Sequence, residues 1–159
     1  MKARGAAAPL CAAALFLASA LPARAQEVLF LVRHAEKVDT SKDAALSAAG
    51  EARAKALAIR LRDAGITAIY TSEYQRTRKT AEPLTEALKL LPRVHPANDT
   101  AGLVALLRKE PGRALVVGHS NTLPEIARAY GVELAVADDA YDGLFVLVPS
   151  TKTLIRLRQ

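Results

Sequence analysis

The residues able to do chemistry in this chain fall at three places, each a polar side chain at the end of an apolar run. Val28-Leu29-Phe30-Leu31-Val32 leads into Arg33-His34-Ala35-Glu36. Thr67 to Thr71 is followed by Ser72-Glu73-Tyr74-Gln75-Arg76, and Ala114 to Gly118 ends at His119. Short apolar runs of this kind read as buried strands. In sheets covered by helices, ligands bind at the carboxyl ends of the strands. Two guanidiniums and two imidazoles brought to one point make a pocket for a dianion, because arginine offers a fixed fork of donors matched to phosphate oxygens. An imidazole at the centre can attack phosphorus, which divides hydrolysis into formation and breakdown of a phosphohistidine. For that, His34 has to be neutral, and neighbouring positive charge lowers its pKa.

Positioning these residues takes an α/β domain. After residue 25 apolar strands alternate with amphipathic helices, which predicts a three-layer αβα fold with a mainly parallel sheet. Ser47 is the expected N-cap of a helix in which Ala54, Leu57, Leu61 and Ala64 recur at three- and four-residue steps, with Glu51 and Lys55 facing solvent and Gly65 at its end. The next helix buries Thr77, Ala81, Leu84 and Leu88, and Pro83 is expected to kink it or delay its start. Arg78 and Lys79 read as its solvated face. Arg93 to Pro96 reads as a short strand, and Asn98 or Asp99 as the cap of a helix turning Leu103, Leu106 and Leu107 inward. Thr122-Leu123-Pro124-Glu125 has the spacing of a capping box, with Leu123, Ile126, Ala127 and Tyr130 on the inner face. Leu144 to Val148 and Thr153 to Leu157, joined by Pro149-Ser150-Thr151-Lys152, predict an antiparallel edge hairpin.

Residues 1–25 read as a cleavable secretory signal. Lys2 and Arg4 form a basic head, Leu10 to Leu21 an apolar run short for a membrane span, and Ala23-Arg24-Ala25 an A-x-A site. Leu10 directly before Cys11 departs from a lipid-attachment pattern. Residues 26–159 are then the exported domain, 134 residues with one core, expected to be periplasmic or secreted and to keep no stable membrane anchor after cleavage. Losing Lys2, Arg4 and Arg24 takes the formal charge from +6 to +3. That modest excess suits a small anionic partner. No basic run interleaved with aromatics is present, so nucleic acid is not expected. Cys11 leaves with the leader, so stability is expected from packing rather than disulfides. With His34, His95 and His119 as the only histidines, and neither an H-E-x-x-H helix nor a Walker-type loop, no metal site and no cofactor are expected. Nothing in the pattern speaks to oligomeric state.

Arg33-His34-Ala35-Glu36, Thr71 to Thr77 with Thr80-Ala81, and Val117-Gly118-His119-Ser120-Asn121 resemble the three signature blocks of the histidine phosphatase superfamily, the phosphoglycerate mutase-like proteins. The resemblance spans nearly all of residues 26–159. It implies a phosphoglycerate mutase-like fold and a cofactor-free phosphatase, with His34 as the phosphorylated nucleophile. It also implies Arg33 and Arg76 as phosphate-binding arginines and His119 as the second pocket histidine. Ala35 stands where the family usually has glycine, which a negative φ would accommodate. The segment from Arg76 to His119 is shorter than in mutases of the superfamily, whose insertion there carries the proton-donating acid. A small phosphatase is therefore favoured over a mutase.

The proton donor stays open. Glu73, three residues before Arg76, leads, with Glu36 and Asp142 as alternatives. Asn121 is placed either to cap the turn after His119 or to contact phosphate, and His95 to lie near the pocket rim. Competing readings are a non-catalytic phosphate or phosphoprotein binding module and a protein phosphohistidine phosphatase. Substrate choice is expected to rest on the loops after the first strand and around His95, Asp138, Asp139 and Tyr141.

Overall fold

A computed structural model of the chain describes residues 26–159, so the expected leader, residues 1–25, lies outside the described residues. In chain order the elements are β1 (Gln26–Arg33), α1 (Ala48–Leu61), β2 (Ala68–Thr71), α2 (Gln75–Leu88), β3 (Arg93–Val94), α3 (Thr100–Leu107), β4 (Gly112–Gly118), α4 (Thr122–Ala129), β5 (Gly143–Val148) and β6 (Thr153–Arg158). They build one sheet of strand order β3-β2-β4-β1-β5-β6. β1 to β4 are parallel, and β5 and β6 form the antiparallel edge hairpin.

β1 is central and covered on both sides, which is why it reads as an unbroken apolar run rather than an alternating one. Leu29 and Leu31 pack with Leu107, Leu123 and Ile126 of α3 and α4. Phe30 and Val32 pack with Leu57, Leu61 and Leu84 of α1 and α2. Leu29, Leu31 and Val32 are fully buried, and burial of each contributes roughly 1.5–3 kcal/mol.

The register aligns the site. Thr71 of β2 lies beside Val117 of β4, and Arg33 of β1 beside Gly118. The carboxyl ends of β2, β4 and β1 thus finish level, and His34 N extends the ladder to Gly118 O at 3.0 Å.

Several local expectations need correction. α1 ends at Leu61, so Gly65, at φ +70°, closes the turn after the helix rather than the helix itself. α2 starts at Gln75 and runs through Pro83, with no delayed start. Asp99, not Asn98, caps α3 by accepting from Gly102 N at 2.9 Å. α3 buries Val104 and Leu107 but leaves Leu106 46% exposed, because at about 3.6 residues per turn Leu106 falls more than a quarter turn from the centre of the buried face. The capping box does not form: α4 already begins at Thr122, whose Oγ1 accepts from His119 N at 2.9 Å. Pro124 does sit in the first turn.

Candidate active site

The level strand ends bring Arg33, His34, Arg76 and His119 into one cleft of about 590 Å³. The His34 and His119 ring centroids are 5.4 Å apart, with the rings inclined at 61°. Arg33, His34 and His119 are buried although all are polar, a combination that needs partners or a function.

His34 is oriented by its own chain. Its Nδ1 lies 2.8 Å from Ala35 O. A carbonyl can only accept, so Nδ1 carries the proton and Nε2 keeps its lone pair for the cleft. Ala35 N donates to Thr80 Oγ1 at 2.9 Å, and Thr80 Oγ1 donates to Arg76 O at 2.7 Å, tying the loop after His34 to α2. Among the described residues only Lys89 and Lys152 are non-glycine with positive φ, so Ala35 adopts the negative φ that alanine accepts. The start of α1 approaches this loop closely. A Cβ at Gly50 would overlap Glu36 O and stand 3.0 Å from Glu36 N.

His119 is held from the other side. Its Nε2 lies 3.1 Å from Ser72 Oγ, which lies 2.8 Å from Thr77 Oγ1. Each arginine is braced by an aromatic ring and a backbone carbonyl. The Arg33 guanidinium sits 4.3 Å from the Tyr141 ring centroid, and its Nη1 donates to Ala137 O at 3.1 Å and to Asp138 O. The Arg76 guanidinium sits 4.2 Å from the Tyr74 ring, and its Nη1 donates to Lys42 O at 2.7 Å. Arg33 Nε and Arg76 Nε are buried without a hydrogen-bond partner. Leaving such donors unpaired is costly.

Both imidazoles are pushed down to about 4. For His34 burial is the largest cause. The Ala35 carbonyl opposes it, and His119, Arg33 and Arg76 lower it further. For His119 burial again leads, followed by Arg76, with Glu73 opposing. Desolvation of the charged form thus outweighs the guanidinium charge invoked from sequence. Both rings are neutral at pH 7.

Of the carboxylates considered, Glu73 lines the cleft, exposed, with Oε2 accepting from Ala97 N at 2.8 Å. Glu36 is not among the lining residues. Arg53 Nε grips both its oxygens, at 3.0 and 2.9 Å, and this hydrogen bonding lowers its pKa. Asp142 is bound to Arg158 and lines a different depression. Asn121 lines the cleft and precedes α4, but its side chain makes no capping bond. His95 lies behind the rim, with Nε2 2.8 Å from Asp99 O, steadying the turn whose Ala97 and Asn98 line the cleft. Lys79 pairs with Glu82 at 2.9 Å on the exposed face of α2.

Sequence reasoning assigned no role to Lys37, Lys42 or Tyr74, and knew Tyr141 only as a loop residue. Lys37, Lys42 and Tyr74 line the cleft, whereas Tyr141 stacks on Arg33 beside His34, 6.0 Å between rings. A signal existed only for Tyr74, two residues before Arg76. Among the described residues no group of three or more His, Cys, Asp or Glu could hold a metal ion.

The model of the histidine phosphatase superfamily (branch 1) matches residues 29–99, which include Arg33, His34, Glu73 and Arg76. The chain is 38% identical over 66 residues to the probable phosphoglycerate mutase GpmB of Escherichia coli K12, covering 37% of this chain and 31% of that protein. It is 39% identical over 69 residues to GpmB of Yersinia enterocolitica, covering 39% and 32%. The chain thus spans about a third of the length of the curated relatives it matches. Among solved structures, a mycobacterial hydrolase superposes with TM-score 0.65 at 16% identity, covering 86% of this chain and 97% of that one. The protein histidine phosphatase SixA complexed with tungstate superposes with TM-score 0.62 at 19% identity, covering 82% and 94%. These two likenesses show the fold.

Proposed function

We propose that this chain, which belongs to the histidine phosphatase superfamily, hydrolyses phosphomonoesters through a phosphohistidine on His34. The observation that carries the reading is the convergence of the Arg33 and Arg76 guanidiniums on two neutral imidazoles in one cleft. Such donors match the oxygens of a phosphoryl group and stabilise the charge it spreads in transfer.

The step runs as follows. Nε2 of His34 forms a bond to phosphorus as the ester P–O bond breaks, and the leaving alkoxide takes a proton from Glu73. The Ala35 carbonyl, accepting from Nδ1, supports the positive charge that grows on the ring. Water, giving its proton back to Glu73, then attacks phosphorus. The P–N bond breaks, phosphate leaves and neutral His34 is restored. Arg33, Arg76 and His119 hold the phosphoryl oxygens throughout, and Asn121 is placed to add a further contact from the rim. Glu73 is assigned as acid because Glu36 and Asp142 are committed to arginines away from the cleft.

Hydrolysis is favoured over mutase chemistry because the segment between Arg76 and His119 is taken up by α2, β3, α3 and β4. The reading includes export, supported by the pattern of residues 1–25; mass analysis of the protein recovered from cells should find Gln26 as its first residue. The function itself is tested by assaying the purified protein on small phosphomonoesters and on a phosphohistidine peptide, with vanadate as inhibitor. Vanadate-sensitive turnover of small esters is expected. Tight phosphate binding without turnover of any ester would convert the site into a binding module.

A further inference from the structure

Arg33 borders two cavities, the cleft and a separate one of about 240 Å³. The sheet register builds the floor of the second. Phe145 of β5 lies beside Leu31 of β1 and opposite Arg156 of β6, and Gly143 lies opposite Arg158. Residues directly opposite each other share a face of the sheet, as do residues two apart on one strand. Arg33, Gly143, Phe145, Arg156 and Arg158 therefore stand on one face, and all five line the cavity. Gly143 matters to its shape. A Cβ there would stand 2.7 Å from Cζ of Phe145, so the phenyl ring lies across the place a side chain would fill.

The facing wall is apolar: Ala135, Val136, Ala137 and Ala140, from a segment that contains no helix or strand. The same segment braces Arg33. Ala137 O and Asp138 O accept from Arg33 Nη1, and Asp138 Oδ1 accepts from Ser120 Oγ. Between Val132 N, which donates to Ala127 O, and Asp142 O, which accepts from Gln159 N, its one backbone hydrogen bond among the described residues runs from Ala140 N to Ala137 O at 3.1 Å. The cavity's charge is unbalanced. Three guanidiniums stand against one carboxylate, Asp142, which is bound to Arg158. Arg156 makes no ion pair among the described residues, and its Nη2 donates only to Glu133 O, at 3.1 Å. Apolar walls with surplus guanidinium charge suit a ligand that is part hydrocarbon and part anion. At roughly 30 Å³ for a group the size of water, a volume of about 240 Å³ takes about eight such groups.

We propose that this cavity binds a short aliphatic carboxylate of hexanoate's size, with the anion against Arg156 and Arg158 and the chain between Phe145 and residues 135–140. Its occupation steadies the segment that braces Arg33 and so tightens phosphate in the cleft. The site itself stands without the phosphatase reading, whereas its coupling to phosphate rests on that reading's anion-binding cleft. Calorimetry on the full chain at constant ionic strength titrates hexanoate, acetate as the anion without a chain, and hexanol as the chain without an anion. Inorganic phosphate is then titrated with and without saturating hexanoate. Hexanoate should bind at least tenfold tighter than acetate and about fivefold tighter than hexanol. Phosphate should bind roughly fivefold tighter in the presence of hexanoate, and hexanoate tighter by the same factor in the presence of phosphate. A carboxylate entering the cleft would instead compete with phosphate, so the sign of the effect tells the two places apart. Arg156→Gln/Arg158→Gln should bring hexanoate down to about the affinity of hexanol, roughly a fivefold loss, and leave the binding of phosphate alone unchanged. Hexanoate no tighter than acetate, phosphate weakened or unaffected by hexanoate, or undiminished hexanoate binding in the double variant overturns the proposal. Hexanoate binding that depends on the two arginines in a protein that binds no phosphate leaves the site standing and removes the phosphatase reading.

Discussion

Acidification should destabilise this protein through its two cleft histidines before most of its carboxylates titrate. In the folded chain His34 and His119 stay neutral down to about pH 4, whereas in the unfolded chain they take up protons near pH 6.5. Between those values the unfolded state binds more protons. Stability therefore rises with pH across the window and is lost as pH falls through it. For one imidazole with these two values, linkage gives a ceiling of about 2 kcal/mol lost between about pH 7 and 4.5. Solvent reaches the mouth of the cleft, and screening reduces this to roughly 1 kcal/mol each, or about 2 for the pair. Urea unfolding followed by circular dichroism at constant ionic strength measures it. Wild type should lose that much, and a His34→Asn/His119→Asn variant should lose little over the same range. Inorganic phosphate should raise the wild-type midpoint, since it binds only the folded state. If the double variant keeps the wild-type slope, burial is not what holds these rings neutral, and the electrostatic description of the site fails.

Three further outcomes follow from the geometry. Arg76→Lys should lower kcat/KM by roughly 10²–10³, because the single nitrogen of an ammonium cannot hold Lys42 O with one atom and offer phosphate a planar fork of donors with others; steady-state kinetics with retained wild-type stability checks it. Glu73→Gln should slow an alkyl phosphate by about 10²-fold or more and an activated aryl phosphate little. Equal, unchanged rates on the two esters would remove Glu73 as the acid. Gly50→Ala should cost roughly 1–3 kcal/mol in urea unfolding and also lower kcat, since the new methyl pushes on the Glu36 backbone two residues from His34; wild-type values for both would show that the close approach carries no constraint.

The buried strands were readable because a run such as Leu29 to Val32 leaves no polar face, and the hairpin was readable from its proline turn. The convergence of Arg33, Arg76 and His119 was inferred from their shared position after apolar runs, and level register makes it real. Finer packing was not legible. Whether Leu106 or Val104 faces the core depends on where α3 meets the sheet, and whether Thr122 caps or begins α4 turns on one residue. Glu36 could not be set aside from sequence because its partner Arg53 lies a helix away. Lys37 and Lys42 looked like ordinary loop lysines. Only the clamp of Asp43 on Gln75, a contact between distant segments, turns their loop toward the cleft.

The account stands on transfer of phosphorus to Nε2 of His34. Rapid acid-free quenching of the enzyme during turnover of a ³²P-labelled monoester, followed by peptide mapping, reads that step directly. The account predicts an acid-labile, base-stable label on the peptide containing His34, absent together with activity in His34→Asn. Label on another residue, or full turnover by His34→Asn, would contradict it.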